Sequence, residues 1–161
     1  MTTGTTFVEK QATTPDVLRT GVKIGLIGGI VAVSIALEGM LQAFNVRDII
    51  SGVVTMSQVL LLITFFGSAS MAVSRSGSTN PFLTIVTGAL SGFVSSLLVV
   101  GLIVLGNVIK LGDMFINAVP ALYELLTFKQ GLTTGSVYLV VIAILCGVAA
   151  AIIFLLPANA R

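Results

Sequence analysis

The chain has 161 residues, of which 56% are hydrophobic and only 9% charged, and its net charge is +2. A soluble domain carries roughly 25% charged residues, so the composition excludes an ordinary soluble globule, and the small net charge excludes the dense basic patch that nucleic-acid binding requires. Mean hydropathy is +1.13, and the absence of histidine together with a single cysteine, Cys146, removes intrachain disulfides, His-ligated haem or metal, and imidazole catalysis from this chain's repertoire.

In chain order, residues 1–13 are polar and Thr-rich and read as a flexible tail. They do not resemble a signal peptide, which would place a short basic segment before an apolar core of 7–15 residues. Thr14-Pro15-Asp16 is a helix start, with a hydroxyl cap, proline at the first position and an acid in the first turn. Four long apolar runs follow, at 24–44, 49–73, 82–109 and 137–156, and the only formal charge inside them is Glu38. About 20 apolar residues cross the hydrocarbon core of a bilayer. The reading is therefore an all-α integral membrane protein, a single four-helix domain over 14–161, with spans at about 20–44, 48–74, 81–109 and 136–156.

The connections differ in length. Asn45-Val46-Arg47-Asp48 is a tight link, Asn45 stopping one helix and Asp48 capping the next. Residues 74–80 form a loop by composition, closed by Asn80-Pro81 as cap and first helical position. The third connection, 110–136, has an apolar centre too short to span. There Phe115, Val119, Leu122 and Leu126 share one helical face, opposite Asp113, Asn117 and Glu124, which predicts a short amphipathic helix at the interface. Pro120 introduces a break at Val119. A re-entrant hairpin is the competing reading of this segment. The Lys and Arg residues divide five to three, with Lys10, Arg19, Lys23, Arg75 and Arg161 on the side of the termini and Arg47, Lys110 and Lys129 opposite. The bias places both termini in the cytoplasm.

Within the spans, polar side chains are few. Glu38 lies about two turns from its helix end, nearer the interface than the midplane, and reads as a carboxylate bonded to Arg47 or a nearby amide in preference to a functional intramembrane acid. Gln42, Gln58 and Asn107 are scattered over three helices and read as interhelical hydrogen-bonding groups. Small residues recur every fourth position: Gly21, Gly25 and Gly29 on the first helix, Gly88, Gly92 and Ser96 on the third, and Ala143, Gly147 and Ala151 on the fourth. Such grooves let helix backbones approach closely. Either they close the bundle internally or one receives another chain, and the first-helix groove is the expected partner site because it begins at the cytoplasmic end. Phosphate-loop and zinc-protease patterns are absent, and no serine or cysteine has a base at a suitable spacing. No cofactor is expected, and a metal-ligand set cannot be assembled from this chain alone.

Residues 47–58, Arg-Asp-Ile-Ile-Ser-Gly-Val-Val-Thr-Met-Ser-Gln, and 115–128, Phe-Ile-Asn-Ala-Val-Pro-Ala-Leu-Tyr-Glu-Leu-Leu-Thr-Phe, resemble the opening spans of bacterial ABC-type permeases for branched-chain amino acids. Some of those permeases carry an additional N-terminal membrane segment of about this length ahead of the transport core, and the resemblance would cover nearly the whole chain. It implies a transport-associated, non-catalytic subunit of the bacterial cytoplasmic membrane that resembles this accessory segment. The family's further spans and ATPase-docking loop have no counterpart before Arg161, and no substrate residue carries over. The alternative is a structural subunit of a larger energy-transducing or photosynthetic membrane complex. Under either reading the partners are the bilayer and other membrane subunits.

Overall fold

A computed structural model describes residues 13–37, 48–50, 54–109 and 131–156. Four long helices dominate it: α1 (Thr14–Leu37), α2 (Met56–Ser76), α3 (Pro81–Val108) and α4 (Leu132–Leu155), with two short strands, β1 (Asp48–Ile50) and β2 (Val54–Thr55), before α2. The helices have 24, 21, 28 and 24 residues, or about 31–42 Å at ~1.5 Å per residue. All four are long and apolar enough to cross a membrane, the architecture of a multi-pass membrane protein.

The helix ends follow local chemistry. At α1 the cap falls on Thr13, whose carbonyl accepts the Asp16 and Val17 N–H groups and whose hydroxyl donates to the Asp16 carboxylate. The Asn80 side chain accepts the Phe82 N–H at 3.0 Å, with Pro81 opening α3 as the sequence implies. Gly77 at φ +59° ends α2 in the left-handed conformation that glycine adopts without strain.

Two boundaries depart from the sequence reading. The second helix starts at Met56 instead of 48, because 48–50 and 54–55 pair as an antiparallel ladder, Asp48 opposite Thr55 and Ile50 opposite Val54. The β-branched run Ile-Ile…Val-Val-Thr around Ser51-Gly52 favours extended backbone over helix. The fourth helix starts at Leu132, where a turn was expected through 136. Gly131 at φ +82° redirects the chain, and the Gly135 N–H already donates to the Gly131 carbonyl at 2.9 Å. The weak helix preference of Thr133, Thr134, Gly135 and Ser136 yields to the apolar helix that follows. The proposed interfacial helix at 113–128 lies outside the described residues.

Packing runs against sequence order. α2 and α3 each touch all three other helices, whereas α1 and α4 sit at opposite ends of the section with little mutual contact. α1 lies parallel to α3, Gly21 meeting Thr87 and Gly29 meeting Leu98, whereas α3 and α4 run antiparallel, with Gly88 on Gly147 and Gly92 on Ala143. One core cluster, built around Leu61, Phe65, Val99, Ile103 and Leu139, fills the end of the bundle nearer the strands.

Beside this apolar cluster the helix contacts bury hydroxyls, and large apolar side chains face outward. Thr84, Thr87, Ser91, Ser95 and Ser96 are buried, whereas Ile30, Ile63, Leu105, Leu145 and Ile153 are more than half exposed. In water that outer surface would carry a large free-energy penalty. In lipid, apolar side chains belong outside, and small or hydroxyl side chains belong at helix contacts.

Candidate functional site

The interior is organised by α3, which carries two adjacent stripes of small residues. One comprises Thr84, Thr87, Ser91 and Ser95 and turns toward α1. The other comprises Gly88 and Gly92 and turns toward α4. Three- and four-residue spacings stack side chains on one helix face, so each stripe is a continuous seam.

The α3–α4 seam is backbone against backbone. A Cβ on Gly88 would fall on the Gly147 carbonyl oxygen, and one on Gly147 would fall on the Gly88 carbonyl oxygen. A Cβ on Gly92 would likewise meet the Ala143 carbonyl oxygen, and Ala151 packs beside Gly88. The grooves recognised separately on the third and fourth helices are therefore two halves of one contact.

The α1–α3 seam adds a polar element. A Cβ on Gly25 would lie 2.8 Å from the Ser91 carbonyl oxygen and 2.9 Å from Val94 Cβ. One turn further, Ser95 Oγ donates to the Gly25 carbonyl at 2.8 Å. Ser68 of α2 completes the junction: its Oγ donates to the Phe65 carbonyl at 2.9 Å and lies 3.5 Å from Ser95 Oγ. Each hydroxyl has one hydrogen, and both are already used, so the Ser68–Ser95 approach adds little bonding. Gly28 provides the room, since a Cβ there would overlap Ser68. Three helices thus converge near mid-span on glycines and serines. Ser91 Oγ, fully buried, has no hydrogen-bond partner among the described residues.

The remaining sequence candidates disperse. Gly21, Gly25 and Gly29 are buried against α3, which corrects the expectation that this groove receives a different chain: helix α3 already fills it. Gln58 is buried near the start of α2. Asn107 is exposed at the end of α3. Glu38, Gln42, Phe115, Leu122, Glu124 and Leu126 lie outside the described residues. The sequence reading passed over Ser68, Ser91 and Ser95. The signal is present in the spacing Thr84, Thr87, Ser91, Ser95, a second stripe on α3 beside the one through Gly88, Gly92 and Ser96.

The described helices also border an opening. Between α1 and α2 a cleft of about 260 Å³ faces outward, with walls that include Ile24, Ile27, Gly28, Thr64, Gly67 and Met71. Its two hydroxyls are turned to their own helix: Thr64 Oγ1 donates to the Leu60 carbonyl and Ser68 Oγ to that of Phe65, both at 2.9 Å. The cleft consequently presents hydrocarbon. Among the described residues no group of three His, Cys, Asp or Glu side chains could hold a metal ion. Against this geometry, comparison with known proteins finds no matching family model, curated protein or solved structure.

Proposed function

We propose that this chain is a non-catalytic integral membrane subunit of the bacterial cytoplasmic membrane, acting beside an ABC-type branched-chain amino-acid permease. The observation that carries the reading is the commitment of the interior to packing. The Ser95 hydroxyl is spent on the Gly25 carbonyl, the Gly88 and Gly92 faces are closed by α4, and the described cleft opens outward instead of through the bundle. Such a bundle serves as a membrane-embedded scaffold. The resemblance of 47–58 and 115–128 to permease opening spans supplies the transport association.

Orientation follows from charge. Arg19 and Lys23 lie in the first part of α1 and Arg75 in the last turn of α2, so the three cations with described side chains gather at one end. Positive charge favours the cytoplasmic side, which puts that end, and with it both termini, in the cytoplasm.

Affinity purification of the tagged full chain from native membranes in mild detergent tests the reading. Recovery of an ATP-binding subunit together with permease spans is the expected outcome. Recovery of redox or light-harvesting subunits, or of the chain alone at full yield, contradicts it.

A further inference from the structure

We propose that the cleft between α1 and α2 is a site for one anionic phospholipid, with an acyl chain in the cleft and the headgroup phosphate held between Lys23 and Arg75. The cleft runs from Ile24 and Met71 at one end to Val31 and Ile63 at the other, about 10 Å along α1 at ~1.5 Å per residue. At about 260 Å³ it is smaller than the ~300–1,000 Å³ pockets that enclose drug-sized ligands, and its hydroxyls are already bonded to backbone carbonyls. A linear hydrocarbon fits such a slot, and a polar solute finds no free hydroxyl hydrogen in its walls.

Charge at the mouth selects the lipid. Lys23 precedes the lining residue Ile27 by four positions, and Arg75 follows the lining residue Met71 by four. Residues four apart share a helix face, so the two cations extend the two walls by one turn. α1 and α2 are antiparallel here, with Gly28 against Ser68, which brings Lys23 and Arg75 to the same end of the cleft. Both are exposed. Among the residues whose side chains are described, the only carboxylate is Asp16, seven positions before Lys23 and hydrogen-bonded by Thr13. The two cations therefore stand at the level where the uninterrupted apolar stretch of α1 begins, where a phosphate sits when its chain points toward the bilayer centre.

A cation near the membrane surface contributes about fivefold in affinity for anionic lipid, and two contribute about 30-fold. The test uses the full-length chain in mild detergent, equilibrated with phosphatidylglycerol and phosphatidylethanolamine of matched acyl chains and read by native mass spectrometry. The wild type should retain one phosphatidylglycerol per chain with about 30-fold preference, and the preference should fall as salt rises. The double variant Lys23→Gln/Arg75→Gln should still bind a lipid but lose the preference. Gly67→Leu should lose the bound lipid, because Gly67 lines the cleft and a Cβ there meets nothing within 4 Å, so a larger side chain has room to enter the space of the acyl chain. Equal retention of both lipids by the wild type overturns the proposal, as does an unchanged preference in the double variant. Lipid retention by a folded Gly67→Leu at the wild-type level also overturns it, and so does a chain dimer, abolished by Gly67→Leu, in place of the lipid. The double variant alters only exposed side chains, so its result decides the headgroup claim even where Gly67→Leu fails to fold.

Discussion

Ser91 and Ser95 stand one turn apart on the same buried face of α3, yet their hydroxyls have opposite energetic roles. Ser95 bonds the Gly25 carbonyl across the seam at 2.8 Å, an interaction of the kind that contributes ~0.6 kcal/mol on average between membrane helices. Ser91 Oγ is buried and unpartnered among the described residues, and an unsatisfied hydroxyl costs roughly 1–3 kcal/mol. Ser95→Ala should therefore lower unfolding stability in mixed micelles by about 0.6 kcal/mol, and Ser91→Ala should leave it unchanged or raise it by up to ~1 kcal/mol. Denaturant titration followed by helical circular dichroism measures both; a loss at Ser91 as large as that at Ser95 would show that its hydroxyl is in use. Gly147 is a harsher case, because any side chain there meets the Gly88 carbonyl backbone instead of a movable side chain. Gly147→Leu should cost at least ~1–3 kcal/mol through forced separation of α3 and α4, whereas Gly101, whose Cβ position meets nothing within 4 Å, should accept alanine with no loss. The same titration checks the pair, and equal effects at the two glycines would contradict the packing described.

Helix α3 is the element on which the others depend. Its N-terminus rests on a single side-chain cap, the Asn80 side chain to the Phe82 N–H. Asn80→Ala should lower stability by ~1 kcal/mol, and Asn80→Asp should restore most of it, as read by thermal melts in detergent. This cap was legible in the sequence because asparagine followed by proline states its own chemistry. So was the number of long helices, because length and lack of charge alone decide whether a segment can span. The start of α2 was not legible: a β-branched run inside an apolar stretch reads equally as a strand or as part of a span, and the pairing of β1 with β2 resolves it. The partners of the small-residue stripes were hidden for another reason. Periodicity shows that Gly21, Gly25 and Gly29 share a face, but nothing in a four-residue spacing says which neighbour fills it. Chain order suggests antiparallel neighbours, α1 on α2, whereas the most extensive α1 contact is with the parallel α3, which Gly21, Gly25 and Gly29 all meet. The Ser68–Ser95–Gly25 junction depends on three helices at once and has no local signature.

At the scale of the molecule, two seams of small residues join the apolar cluster in closing the bundle. Buried hydroxyls and glycines hold the helices together, and isoleucine and leucine face outward, the arrangement a lipid solvent rewards. The direction of each helix then fixes topology. The loop between α2 and α3, with Ser78, lies at the end that carries the start of α1, and Thr133 at the start of α4 lies at the other. Ser78 is partly exposed and Thr133 exposed, and neither belongs to a seam. The most direct test of a four-crossing bundle is impermeant thiol labelling of Ser78→Cys and Thr133→Cys in intact cells, each in a Cys146→Ser background. The account predicts that Thr133→Cys is labelled from outside and Ser78→Cys only after the membrane is opened; labelling of both from the same side would contradict it.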